Sequence, residues 1–379
     1  MKIDKFGVER WMDLYEDRCK YNLAETCVES ITVKQLLDLA GKGSVYEDLL
    51  NMKLTYGAIP GSERLRASIA RLFRTMNSSD ILVTHGAIGA NALVYETVVE
   101  PGDHVIAVLP TYQQHQSIPK SYGAKVDLLH LREKNAFLPD LDDLRHLLSP
   151  NTRLLALNNP NNPSGSLMDR DFLMRIIEMV RPHGTYILCD EVYRGLDEEG
   201  NGFTESIADL YEKGISTGSM SKAYSLAGLR LGWIATKIPG FLDEVTIHRD
   251  YNTISVGMLN DYFASIALES VDELLARSHS ITRKNRQILA DWVASEPSIS
   301  CVAPKSGTTA LLKYDFDITS WDFCVRLVEE YGVMLCPGSV LDMEGYLRIG
   351  YANNADVLRQ GLAIMSSFLK TLREEHGAG

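Results

Sequence analysis

Lys222 stands in the stretch Ser219-Met220-Ser221-Lys222-Ala223-Tyr224-Ser225-Leu226-Ala227-Gly228-Leu229-Arg230, among hydroxyls and with an arginine eight positions on. The preceding Lys213-Gly214-Ile215-Ser216-Thr217-Gly218 reads as a short strand. The lysine therefore falls on a loop leaving a strand, where side chains tend to reach a cleft. An amine beside another cation, or in a drier site, gives up its proton more readily and becomes a nucleophile toward aldehydes. On this stretch alone, a solvated surface charge is an equal reading.

Five further features fall at strand ends. Gly86-Ala87-Ile88 lies between a strand and a helix start, where exposed N–H groups can hold a phosphate or simply make a turn. Tyr112, after Pro110-Thr111, could stack on a flat ring or line a rim. Asn158-Asn159-Pro160-Asn161-Asn162-Pro163-Ser164-Gly165 is more specific, because two prolines and a glycine fix an irregular backbone directly after an apolar strand. Asp190-Glu191-Val192-Tyr193 closes another apolar strand, and a carboxylate leaving a buried strand needs a partner, whether a helix N-cap, a salt bridge or a ligand. Arg348, in Tyr346-Leu347-Arg348-Ile349-Gly350, has the fork geometry for a carboxylate, from a substrate or from the protein itself.

The elements that must position these residues alternate. Strands are predicted at 80–84, 104–109, 125–130, 153–157 and 185–190, with helices at 90–99, 140–148 and 169–180 between them. Short apolar strands separated by helices point to an α/β protein with a mostly parallel sheet buried on both faces, whose ligands gather at the carboxyl ends of the strands. Helices at 8–21, with Trp11, Leu14 and Tyr15 on one face, and at 33–40 form an N-terminal arm; Ser62 is a candidate N-cap for the next helix. A helix-rich stretch over 251–295 leads into a mixture of strands (309–314) and helices (321–331, 354–372). The expected division is an arm (1–45) packing on the small domain, a large domain (46–270) and a smaller α/β domain (271–379).

The chain's 379 residues are 45% hydrophobic and 23% charged, an ordinary globular composition. A net charge of −12 argues against a nucleic-acid surface. The six cysteines contain no C-x-x-C pair, so no metal site is expected and they read as reduced thiols of a cytoplasmic protein. No signal peptide and no run of about 18 apolar residues is seen, so no membrane partner is expected.

In order and spacing these residues resemble the class I/II aminotransferases, the large fold-type-I group of pyridoxal-phosphate (PLP) enzymes. The similarity rests most on Asn161–Gly165, on Asp190–Tyr193 and on Ser-x-Ser-Lys with Arg230 beyond it. It implies pyridoxal 5'-phosphate as cofactor and exchange of an amino group between an L-amino acid and a 2-oxo acid. Lys222 would join the cofactor's aldehyde and move the proton; Asp190 would face the ring nitrogen. Tyr193 and Asn162 would bond the phenolic oxygen, and Tyr112 would stack on the ring. Gly86, Ala87 and Ile88, with Ser219, Ser221 and Arg230, would hold the phosphate. Tyr56 would reach the phosphate of a partner subunit, implying a homodimer, and Arg348 would clamp the substrate carboxylate. One departure stands out: where many members carry a serine or threonine in the phosphate turn, this chain has Ala87-Ile88.

The arm that would close over the substrate carries Glu9, Glu16, Glu25 and Thr26. Its acids hint at a basic or polar substrate, or are solvated charges. Glu-x-Trp near the start and Arg249-Asp250-Tyr251-Asn252-Thr253 resemble a branch that includes capreomycidine synthase, which cyclises a hydroxylated arginine. That leaves a PLP-dependent lyase or cyclase on an arginine-like amino acid open beside transamination. A ligand-sensing transcription regulator would need a basic DNA-binding domain ahead of the Tyr56 loop, and the residues there are not basic.

Overall fold

The computed structural model describes residues 2–377. Seven short segments form one sheet: β1 (Ile81–Thr84), β2 (His104–Leu109), β3 (Lys125–His130), β4 (Thr152–Asn158), β5 (Tyr186–Asp190), β6 (Gly214–Ser219) and β7 (Gly232–Thr236). Their order is β1-β7-β6-β5-β4-β2-β3. The strands from β6 across to β3 run parallel, while β7 is antiparallel to both its neighbours. Every residue of β1, β2, β6 and β7 is buried, which is why these strands read as continuous apolar or small runs rather than alternating ones.

A smaller antiparallel sheet contains β8 (Ile299–Cys301), β9 (Thr309–Tyr314), β10 (Cys336–Pro337) and β11 (Tyr346–Gly350) in the order β10-β11-β9-β8. Four helices matter for the site: α1 (Gly7–Tyr15), α2 (Gly86–Val98), α3 (Gln114–Ser121) and α4 (Val271–Ser295). Helix α4 spans the two halves. Its Leu274 and Leu275 pack in the core that holds Met220 and Tyr224, and its Leu289 packs with Leu312 and Phe323 of the smaller sheet's core.

Ser62 caps its helix by accepting the Leu65 N–H at 3.1 Å. Other elements differ from expectation. Helix α1 ends at Tyr15 instead of running to residue 21. Glu16 and Asp17 would stand at the negative end of a longer helix dipole, and Tyr21–Asn22 instead pairs in parallel with Val333–Met334. Leu14, expected on the buried face, is exposed. Helix α2 starts at Gly86, four residues early, because a left-handed Gly86 (φ 67°) turns the chain straight out of β1. The antiparallel β7 and helix α3 had no prediction. The arm divides: Val8, Trp11, Leu23 and Ala24 pack with the smaller sheet, whereas Val28, Leu36 and Val45 join the core around Tyr224 and Trp233.

Candidate active site

A cavity of about 350 Å³ opens at the carboxyl ends of β4, β5 and β6. Its lining gathers residues from the arm, the large sheet's loops and β11: Glu9, Glu25, Thr26, Ala87, Ile88, Tyr112, Asn162, Asp190, Tyr193, Ser219, Ser221, Lys222, Arg230 and Arg348 all contribute. Of the residues expected from sequence, Gly86 lies one step behind this lining and Tyr56 lies outside it, 77% exposed on its loop.

One end of the cavity is a basic cradle. The first turn of α2 presents the backbone of Gly86, Ala87 and Ile88. A Cβ on Gly232 would collide with the Gly86 carbonyl carbon and the Ala87 nitrogen, so β7 presses directly on this turn. Arg230 adopts a left-handed backbone (φ 48°), and its guanidinium lies 3.3 Å from where a Cβ on Gly86 would stand. The Ser219 hydroxyl accepts the Ser221 N–H at 3.2 Å. A helix N-terminus, an arginine and two serines converge here, the chemistry of an anion site.

Asp190 is 5% exposed at the end of β5. Its Oδ2 accepts from Asn91 Nδ2 at 2.8 Å and lies 3.5 Å from His115 Nε2; its Oδ1 accepts the Val192 N–H at 3.1 Å. Asn91 is itself fixed, since Thr217 donates to its Oδ1 at 2.7 Å. His115 Nδ1 faces the Tyr95 hydroxyl at 2.8 Å, and Gln114 ties the network to α2 by donating to the Ile88 carbonyl at 2.6 Å. Asn91, His115 and Gln114 were missed in the sequence. They lie on α2 and α3, in no recognisable motif, and only the position of Asn91 five residues into the phosphate-turn helix could have marked it.

Three groups in the cavity are conspicuously uncommitted. The Tyr193 hydroxyl is buried without a hydrogen-bond partner, as is Arg348 Nε. Arg348 is 2% exposed and forms no ion pair among the described residues; it donates to the Ala24 carbonyl at 3.1 Å and approaches Asn162 Oδ1 at 3.4 Å. A buried guanidinium without a carboxylate, and an orphaned phenol beside it, are costly unless a ligand completes them. The third is Lys222, whose amine donates to Thr26 Oγ1 at 2.6 Å and lies 3.5 Å from Cys27 Sγ. Burial works against a charged amine there, yet Cys27 and Tyr193 in their ionised forms, and Glu25, raise its pKa overall.

The arm roofs the cavity. Tyr112 is held by Glu9, its hydroxyl donating to Oε1 at 2.6 Å, and by the Phe6 ring at 4.6 Å. The Gly7 N–H donates to Gln113 Oε1 at 2.8 Å, so the start of α1 touches the large half while Trp11, fully buried, donates to the Leu335 carbonyl of the small half at 2.8 Å. Glu16 also lines the cavity; burial, then the neighbouring Glu25, Asp17 and Glu9, push its pKa up. Burial acts the same way on Glu25, but Lys222 and the N–H groups of Cys27 and Thr26 outweigh it and lower its pKa. Beside Glu25 the arm passes so close to the end of β11 that a Cβ on Gly350 would collide with the Glu25 carbonyl.

The family model "Aminotransferase class I and II" matches residues 40–363. A crystal structure of a PLP-dependent aminotransferase from Streptococcus suis 89-1591 is 41% identical and superposes with a TM-score of 0.95, covering 98% of this chain and 99% of that one. The chain belongs to the class I and II aminotransferases. Within the family, capreomycidine synthase of Streptomyces vinaceus is 33% identical over 96% of this chain and 93% of its own length. An arginine–pyruvate transaminase of Pseudomonas aeruginosa is 26% identical, covering 83% of this chain and 82% of its own. The fold is fold type I, a large mostly parallel sheet between helices with a smaller α/β part, and the family's cofactor is pyridoxal 5'-phosphate. The cavity fits that group: an anion cradle at one end, a fixed carboxylate, an orphaned phenol and a buried amine line one space.

Proposed function

We propose that this protein exchanges an amino group between an L-amino acid and a 2-oxo acid, with Lys222 as its catalytic amine. The observation that carries the reading is Arg348. A buried, unpaired guanidinium facing the same cavity as Lys222 and Asp190 suits the carboxylate of an amino acid. The 41% identical Streptococcus suis structure described as an aminotransferase supports it.

When bound, the cofactor supplies an electron sink for charge developing at the substrate α-carbon. The residues that would hold it follow from the cradle. The Gly86, Ala87 and Ile88 backbone, Ser219, Ser221 and Arg230 would bind the phosphate; with no hydroxyl at 87 or 88, the burden shifts to the N–H groups and Arg230. Asp190 would face the ring nitrogen, Tyr193 and Asn162 the phenolic oxygen, and Tyr112 the ring face. Arg348 would orient the substrate by its carboxylate, bringing the α-hydrogen to Lys222. The Lys222 amine would take that proton and return it one position away, and the arm would exclude water during the exchange.

A second reading is favoured by a specific feature. Glu9, Glu16 and Glu25 reach the cavity from the arm, and the 33% identical relative is named a synthase. An arginine-like amino acid cyclised or cleaved at this site would place its cationic end near those carboxylates. The two readings separate in one experiment. The loaded protein is mixed with single amino acids, arginine and its hydroxylated forms included, with and without a 2-oxo acid. Amino transfer stops after about one turnover per site until the 2-oxo acid is added. Product accumulating over many turnovers without it overturns the first reading and supports the second.

The assembly proposed is a homodimer in which Tyr56 completes the partner's phosphate site. Tyr46, Leu50, Leu54, Tyr56, Tyr251 and Leu259 are all exposed, and the two stretches that carry them touch: Tyr262 donates to Asp48, and Arg249 donates to the Ile59 carbonyl, both at 2.6 Å. All six cysteines are free thiols, which suits the cytoplasm. No helix among the described residues is long and apolar enough to cross a membrane.

A further inference from the structure

The Thr26 side chain is the nearest hydrogen-bond partner of the catalytic amine, and the chain goes to some length to fix it. The Glu25 carboxylate folds back to accept the N–H groups of Thr26 and Cys27 at 2.7 and 2.8 Å. Thr308, at the edge of the smaller sheet, donates to the Thr26 carbonyl at 2.7 Å. The Val28 N–H donates to the carbonyl of Lys222 itself at 3.2 Å. The arm is thus fastened to the lysine's loop through the backbone, with the Thr26 Oγ1 held 2.6 Å from Nζ.

We infer that Thr26 is a catalytic residue: its hydroxyl accepts a hydrogen bond from the Lys222 amine whenever that amine is free, fixing it at one point of the cavity and steadying the ammonium once it has taken a proton. The inference rests on Lys222 being the reactive amine and applies to transfer and to cyclisation alike. Between taking a proton from the α-carbon and giving it back, the amine is an ammonium with three hydrogens to place. Thr26 receives one of them and keeps its own hydrogen, so no bond to Thr26 is made or broken.

The other groups facing the amine do not substitute for it. Cys27 offers a thiol whose pKa burial pushes up to about 11, so it is neutral and a weak acceptor at pH 8. The Tyr193 phenol is likewise raised by burial and remains neutral. Arg348 repels the ammonium, and Glu25, whose Oε1 accepts two backbone N–H groups, acts on it through its charge and not through a hydrogen bond.

The test reads the amine without substrate or cofactor, so its outcome is independent of which reaction the enzyme performs. Full-length protein resolved from its cofactor is treated with trace acetic anhydride at pH 8, and acetylation of Lys222 is measured by peptide mass spectrometry against the other lysines. Thr26→Val keeps the shape and removes the acceptor. Loss of a hydrogen bond to a charged group lowers the amine's pKa by about one unit and raises Lys222 labelling about tenfold. Thr26→Ser, which restores the hydroxyl, stays within about twofold of the parent, and so does Cys27→Ala. Unchanged or slower labelling in Thr26→Val, an equal rise in Thr26→Ser, or a tenfold rise in Cys27→Ala overturns the inference. Melting curves of the four proteins show whether the arm stays docked, and the serine variant alone decides the matter if valine loosens it.

Discussion

Asp190 depends on a residue that nothing in the sequence announces. Asn91 presents its amide to the carboxylate and its carbonyl to Thr217, so a single side chain couples the α2 turn to the ends of β5 and β6. Asn91→Ala removes a hydrogen bond to a charged group, a loss of about 1.5 kcal/mol, and leaves Thr217 without its acceptor. The expected result is cofactor held about tenfold more weakly, read by equilibrium dialysis of the loaded protein. The legible residues were those that need an unusual backbone or a strand end: Lys222, Asp190, Tyr193, Asn162 and Arg348 stand around one cavity. Asn91 and His115 were invisible because they occupy ordinary helical positions, and a hydrogen-bond partner on a helix leaves no local mark. Thr26 was marked as a substrate contact; it lines the cavity, and its contact with the lysine was not foreseen.

Among the elements, α1 carries the most consequence for its nine residues. It is anchored by Trp11, buried against the smaller sheet's core and edge-on to Trp321 at 5.0 Å, and it delivers Glu9 and Met12 to the cavity, with Glu16 just past its end. Trp11→Ala should cost about 3–5 kcal/mol of local stability and release the roof. Urea unfolding with a lower midpoint, and a KM for the amino acid that rises more than kcat falls, would be the signature. The parallel strands could be read to within a residue or two, because a buried strand has few ways to be written; the helices between them were read less well, α2 starting four residues early and α3 having no prediction. Strand β7 escaped because Gly-Trp-Ile-Ala-Thr follows the lysine loop without a helix between, so the βα alternation that reveals its neighbours is missing. The overrun of α1 has the opposite cause: polar residues past Tyr15 fit a helix surface, and the pairing of Tyr21–Asn22 with Val333–Met334 cannot be read from them.

At the scale of the whole molecule, one residue expected at the site lies outside it. Tyr56 is exposed on its loop, and the role proposed for it is to complete the phosphate site of a partner subunit. Subunits carrying Lys222→Ala are inactive, and subunits carrying Tyr56→Ala would lack their partner's contact. Random reassortment of the two in equal amounts should restore about a quarter of parental activity, because half the dimers then hold one complete site in two. No recovery on mixing, with dimers confirmed by sedimentation, would place Tyr56 in its own subunit's chemistry or in none. The two-part architecture was legible from the switch between parallel-sheet and mixed patterns. The split of the arm between two cores was not, because Val28, Leu36 and Val45 are too few and too widely spaced to show which core they enter.

Gly350 carries a lesson for anyone wishing to retune this enzyme. The arm that roofs the cavity threads past β11 through a gap left by one missing methyl group, and that gap belongs to the opposite half of the protein. Libraries that vary residues 7–27 in search of new amino acids should hold position 350 constant. A side chain there would reroute the whole segment before any new contact could be tried.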